Sequence, residues 1–176
     1  MGPIETLMHE HKIILAVLDS AEKETSAASL NVEKITQMVD FFQNFADRCH
    51  HSKEEKQLFV MMQDRGGSKT QGPISVMLQE HTVGRNRVKA IAEAIPEVQK
   101  GSVEAAESIR VNLRNYIDLL RGHIHKEDNI LYKIAASVLS EADLKTLNDA
   151  FEKIESEEMG DGVHEKYHQL AHHLSD

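Results

Sequence analysis

Cys49-His50-His51-Ser52-Lys53-Glu54-Glu55-Lys56-Gln57-Leu58-Phe59 sets His50 four residues ahead of Glu54, and His123-Ile124-His125-Lys126-Glu127-Asp128-Asn129-Ile130-Leu131-Tyr132 repeats the arrangement with His123 and Glu127. Residues at i and i+4 lie on one face of a helix, so each helical copy presents an imidazole and a carboxylate together, as half of a metal site. The flanking pattern makes both stretches helical. Ile35, Val39, Phe42 and Ala46 lead into the first copy, and Leu58 and Met61 continue beyond it. Ile109, Leu113, Tyr116 and Leu120 lead into the second, followed by Leu131, Ile134 and Val138. Apolar residues at three- and four-residue intervals mark the buried face of a helix, and the His/Glu pairs lie on that face.

The remaining chain reads the same way. After Gly2-Pro3, Leu7, His11, Ile14, Leu15 and Leu18 form the stripe of a first helix, which the polar stretch Thr25-Ser26-Ala27-Ala28-Ser29 ends. Asn31 suits the N-cap of the second helix, and Gly66-Gly67 suits its stop. Ser68-Lys69-Thr70-Gln71-Gly72 reads as a turn, with Pro73 opening a third helix whose stripe is Ile74, Met77, Leu78, His81, Gly84, Val88, Ile91 and Ile95. Pro96 is expected to end or bend it, and Lys100-Gly101-Ser102 to connect it to the fourth helix. Ser140 with Asp143 forms a reciprocal cap for a fifth helix carrying Leu144, Leu147, Phe151 and Ile154. Gly160-Asp161-Gly162 then precedes a terminal helix with Val163, Tyr167, Leu170, Ala171 and Leu174 on its buried face.

Met8-His9-Glu10-His11 resembles Leu78-Gln79-Glu80-His81, and each is followed by a His-x-x-x-Glu segment. Two matching helix pairs predict an all-α fold: an up-down four-helix bundle over residues 1–138 with a pseudo-two-fold axis. Residues 139–176 are expected to form a helical extension packed on it.

Bulk properties narrow the function classes. A length of 176 residues fits one domain, and a formal net charge of −9 argues against a phosphate-binding surface and hence against nucleic acid. No apolar run approaches the length of a membrane span. The single cysteine, Cys49, cannot form an internal disulfide, and the N-terminus lacks the apolar run of a signal peptide. A cytoplasmic location away from membranes is expected.

Burying a carboxylate or an unpartnered imidazole costs several kcal/mol. His11, His50, Glu54, His81, His123 and Glu127 all aim at one bundle interior, and a bound cation satisfies them together. Mixed imidazole and carboxylate ligation suits iron, manganese or zinc, and six ligands exceed what one tetrahedral ion uses. With both carboxylates bridging two ions, about eight of roughly twelve octahedral positions are filled. An oxo or hydroxo bridge takes two more, leaving about two for water, dioxygen, nitric oxide or a peroxide.

On these motifs, together with Gln79-Glu80-His81-Thr82-Val83-Gly84-Arg85, the chain resembles the hemerythrin-like, cation-binding HHE domains of bacteria and archaea over residues 4 to 138. The resemblance implies a bundle holding two iron ions in a non-haem di-iron centre, with His11, His50, Glu54, His81, His123 and Glu127 as ligands. It implies a protein that binds or senses oxygen, nitric oxide or peroxide, or that stores or delivers iron. The alternative is a redox enzyme using the same centre for peroxide reduction or repair of nitrosative damage. Oxygen-carrying animal hemerythrins use five histidines, where this chain offers four at matching positions. Many members have a proline after the aromatic residue closing each motif, where this chain has Val60 and Lys133, so less kinked helices are expected there.

Several other residues carry more than one reading. His164-Glu165-Lys166-Tyr167-His168 matches the zinc-protease pattern H-E-x-x-H, but no sheet is apparent to bind a peptide. His164 lies at the edge of the buried face of its helix, and reads either as a fifth imidazole for the centre or as part of a solvated histidine-rich tail. Cys49 reads as a small core residue. His9, His51 and His125 read as surface or outer groups, and alignment of the two copies leaves His51 and Glu55 outside the ligand set. Gly84 opens space beside the metals or allows close packing, and Tyr116 and Tyr132 hydrogen-bond near the centre or fill the core.

Overall fold

The computed structural model describes residues Met1–Asp176, and every regular element in it is helical. The first rod of the bundle is α1 (Pro3–Ser26). The second begins as α2 (Val32–Phe41), passes through π-helical segments at Phe42–His51 and Glu54–Leu58, and ends as α3 (Phe59–Gly66). The third is α4 (Ser68–Gln99). The fourth consists of α5 (Val103–Lys126), a π turn at Glu127–Leu131 and α6 (Tyr132–Val138). Connections this short place successive rods antiparallel. Beyond the bundle, α7 (Glu141–Lys153) ends in a π-helical segment at Ile154–Met159, and α8 (Val163–Ser175) packs against α1 and α2. No helix is long and apolar enough to cross a membrane.

Local chemistry sets most of these boundaries. The Asn31 side chain accepts the Lys34 backbone N–H at 3.1 Å, and Ser140 and Asp143 cap α7 reciprocally; each such cap is worth about 1 kcal/mol. Gly67 ends α3 at φ 53°, ψ −129°, a conformation that side chains other than glycine's rarely adopt.

The third rod departs from the expectation that residues 68–72 form a turn. It starts at Ser68, and Pro73 lies inside it. Buried Thr70 anchors the additional turn, donating its hydroxyl to the Gly67 and Met62 carbonyls at 3.0 and 3.3 Å. Proline removes one helical N–H here, and the carbonyl deprived of it belongs to Lys69, an exposed residue. Pro96 likewise sits in the last turn, and the helix continues to Gln99.

Two apolar clusters fill the interior. The larger includes Ile14, Ala46, Cys49, Val88, Leu120 and Ile124; the smaller includes Leu7, Leu58, Met77, Leu131 and Ala135. Along each rod the sequence passes from one cluster to the other through a polar residue: Leu7, His11, Ile14 on the first; Ala46, His50, Glu54, Leu58 on the second; Met77, His81, Val88 on the third; Leu120, His123, Glu127, Leu131 on the fourth. One buried polar layer therefore crosses the bundle between two hydrophobic blocks. The C-terminal helices join both blocks, since Tyr167, Ala171 and Leu174 belong to the larger and Leu147 and Phe151 to the smaller. Val163 and Leu170 are partly buried at the edge of the first.

Candidate metal centre

All six side chains singled out in the sequence meet in this layer, each at most 1% exposed. The carboxylate of Glu127 lies between two histidine pairs: Oε1 is 3.0 Å from His123 Nε2 and 4.0 Å from His81 Nε2, and Oε2 is 3.1 Å from His11 Nε2. Glu54 repeats the pattern, with Oε2 at 3.3 Å from His81 Nε2 and Oε1 at 3.7 Å from His50 Nε2. Each carboxylate thus offers one oxygen to the His11/His50 side and the other to the His81/His123 side.

These contacts are close but poorly aligned for hydrogen bonds. His50 Nε2, Glu54 Oε2 and both Glu127 oxygens are buried without a hydrogen-bond partner. Several unpaired buried acceptors in one layer would each cost about 1–3 kcal/mol. Two ligand atoms each about 2.1 Å from one ion lie roughly 3–4 Å apart, which is the spacing found here. The donor set of imidazoles and carboxylates suits iron, manganese or zinc. On geometry and on unpaired polar atoms alike, the residues fit bound metal.

A ring of outer carboxylates orients the imidazoles. His11 Nδ1 meets Asp128 Oδ1 at 2.7 Å, His50 Nδ1 meets Glu10 Oε2 at 2.8 Å, and His81 Nδ1 meets Glu55 Oε1 at 2.7 Å. Glu80 stands 3.7 Å from His123 Nδ1. A carboxylate behind the far nitrogen turns Nε2 inward and raises its basicity. The four outer groups obey the internal repeat: Glu10 and Glu80 precede a histidine of the layer, and Glu55 and Asp128 follow a glutamate of it. An acidic residue beside each ligand candidate, occurring twice in register, was the available sequence signal. Tyr132 resolves one open choice, since its hydroxyl donates to Glu54 Oε1 at 2.6 Å. Phe59, its counterpart in the repeat, has no hydroxyl and packs on the His81 ring.

The carboxylates also set the charge of the layer. Burial lowers the affinity of His11 for a proton, but Asp128 and Glu127 beside it outweigh burial and hold its pKa at about 10. His81, similarly buried but flanked by Glu54 and Glu55, is held at about 9. Glu127 is also buried, yet the imidazoles of His123 and His11 keep it well below the usual carboxylate range. Without metal, His11 and His81 are therefore protonated at neutral pH, and metal must displace those protons. Loading the metal-free protein at pH 7.5 in weak buffer is expected to release about two protons per chain from these rings. Apparent metal affinity should climb with pH until both rings are neutral, which a pH-indicator titration would follow.

Three further residues lie differently from the reading of the sequence. His51 is only 5% exposed, not at the surface, with Nδ1 at 3.2 Å from Asp47 Oδ1 and its ring stacked on that of His81 at 3.8 Å between centroids. In an α-helix its neighbour His50 would carry the inward direction alone. In this π-helical segment each N–H reaches back five residues, as Ser52 does to the Asp47 carbonyl, and the wider turn brings both histidines inward. Similar turns start at Glu54 and Glu127, whose carbonyls accept the N–H groups of Phe59 and Tyr132. The second and fourth rods therefore leave α geometry just before Val60 and Lys133 without a proline.

The reading of His164 as a fifth imidazole is corrected: its Nε2 faces Glu10 Oε1 at 3.3 Å and Glu155 at 3.8 Å, and it is 27% exposed. Glu10 stands between it and the ring of His50. Nor does His164 pair with His168, which stacks on exposed His9. Lys53, which the helical period left unremarked, is fully buried and bonds Glu10 and Glu155. Burial weakens its charged form, but Glu10 beside it more than restores the proton affinity. Cys49 is a buried free thiol whose pKa burial pushes up to about 12.

Comparison with known proteins identifies the family. Proteins described as iron-sulfur cluster repair protein YtfE, from Yersinia pseudotuberculosis serotype IB (strain PB1/+) and Yersinia pestis (strain Pestoides F), are each 32% identical to the chain over 85 residues. The match covers 47% of this chain and 38% of each relative, so well over half of each relative lies outside it. No solved structure matches the chain. The family profile described as hemerythrin HHE cation binding domain matches residues 2–135, and the chain belongs to that family.

Proposed function

We propose that the polar layer holds two iron ions and that the protein binds a small oxidant or diatomic ligand there: dioxygen, nitric oxide or a peroxide. The observation that carries this reading is the placement of Glu54 and Glu127, each with one oxygen toward the His11/His50 side and one toward the His81/His123 side. An iron pair supplies reversible electron transfer and positions at which small ligands bind. The chain supplies the rest. Asp128, Glu10 and Glu55 fix the imidazoles, two apolar blocks keep bulk water from the layer, and the Tyr132 hydroxyl donates a hydrogen bond to Glu54. Burial, together with the charges of Glu54 and Glu127, raises the pKa of that phenol, so it is suited to donating a hydrogen bond rather than losing the proton.

A second reading, a redox enzyme acting in the repair of oxidised or nitrosylated centres, is favoured by the similarity to the iron-sulfur cluster repair proteins. One experiment separates the two. Iron-loaded protein is exposed to nitric oxide and then purged, and in parallel is given hydrogen peroxide with an electron donor. A spectral change that reverses on purging, without sustained peroxide consumption, is the outcome expected of a binder. Turnover of many equivalents of peroxide would replace the first reading by the second.

A further inference from the structure

We propose that His51 is a seventh protein ligand of the centre, completing the His81/His123 side and closing it to small molecules arriving through the adjacent cavity. This rests on the two-metal reading above. A ring nitrogen of His51 lies within 4.8 Å of the ligand atoms of Glu54, His81 and His123, and these atoms lie within that distance of one another. The matching group on the other side is His11, His50, Glu54 and Glu127. Imidazole ligands generally turn one nitrogen inward and have the other held by an outer acceptor. His51 fits that pattern: Asp47 occupies Nδ1, leaving Nε2 for a metal. Asp47 is fixed in turn by Arg85, which also binds Glu55 behind His81. One guanidinium therefore orients the carboxylates behind two neighbouring imidazoles.

His51 also belongs to the wall of a cavity of about 310 Å³, with Glu80, Gly84, Arg85 and Tyr116. The same imidazole thus faces the cavity and the layer. The two sides of the centre are consequently unequal: three imidazoles serve the His81/His123 side, whereas the His11/His50 side has two and the hydroxyl of Tyr132.

The test is proton NMR of iron-loaded protein, in which N–H groups of iron-bound imidazoles carry large hyperfine shifts. His51→Ala is expected to lose one hyperfine-shifted imidazole resonance while keeping about two irons per chain. Added imidazole, entering the vacated cavity, should restore the wild-type optical spectrum. An unchanged set of shifted resonances in His51→Ala, with a spectrum insensitive to imidazole, would overturn the proposal and leave the two-metal reading intact. If the alanine variant does not fold, His51→Gln, which keeps most of the volume, decides by the same loss or retention of one resonance. Wild-type protein with no shifted resonances at all would remove the two-metal reading and this proposal together.

Discussion

Replacing Glu127 with alanine is expected to lower metal affinity by more than the roughly 10–100-fold that loss of an outer partner costs. Glu127 places one oxygen 3.0 Å from His123 and the other 3.1 Å from His11, so its removal takes a ligand from both sides of the layer at once. Competition with a chromophoric chelator and metal content after desalting would measure the loss. Glu127→Gln keeps the shape but offers a neutral donor, and should fall between wild type and alanine. Without metal, either variant removes a countercharge 3.1 Å from protonated His11, so denaturant titration of the metal-free proteins is needed to separate lost folding stability from lost metal affinity. Near-normal metal content in Glu127→Ala would exclude it as a shared ligand.

Lys53→Met is expected to cost about 3–5 kcal/mol of folding stability, the usual penalty for breaking a buried ion pair. The ammonium is fully buried between Glu10 and Glu155 and lies 5.7 Å from the centre of the Phe151 ring. Methionine keeps most of the volume, so the loss reports the charge left unmatched on Glu10. At this chain length the thermal midpoint should fall by roughly 6–20 °C. Because Glu10 also holds the far nitrogen of His50, metal affinity should weaken as well. Denaturant titration of the metal-free protein separates the two effects. A loss below about 1 kcal/mol would mean that His50 and His164 alone satisfy Glu10.

The helical order was legible because apolar residues recur at three and four along all four rods, and because Asn31, Gly67 and the Ser140/Asp143 pair have the side chains that helix ends require. The convergence of His11, His50, Glu54, His81, His123 and Glu127 was legible for the same reason, since each interrupts an apolar stripe. What the α-helical period concealed lies where the backbone is not α-helical. His51 turns inward because residues 42–51 are π-helical, and no single residue type announces that geometry. Lys53 was hidden because a lysine is seldom fully buried without a partner, and its partners Glu10 and Glu155 come from other helices. Pro73 misled for a local reason: a proline usually marks the first turn, but buried Thr70 anchors a turn ahead of it. The outer carboxylates were present in the repeat as residues adjacent to each ligand candidate, a pattern that gains meaning once the imidazole orientations are known.

The central claim is that one buried layer, shared by two carboxylates, holds a pair of metal ions. Elemental analysis combined with Mössbauer spectroscopy on protein from iron-supplemented cells tests it most directly. The expected result is about two irons per chain, magnetically coupled through shared ligands. Metal-free protein, or a single isolated ion per chain under the same conditions, would contradict it.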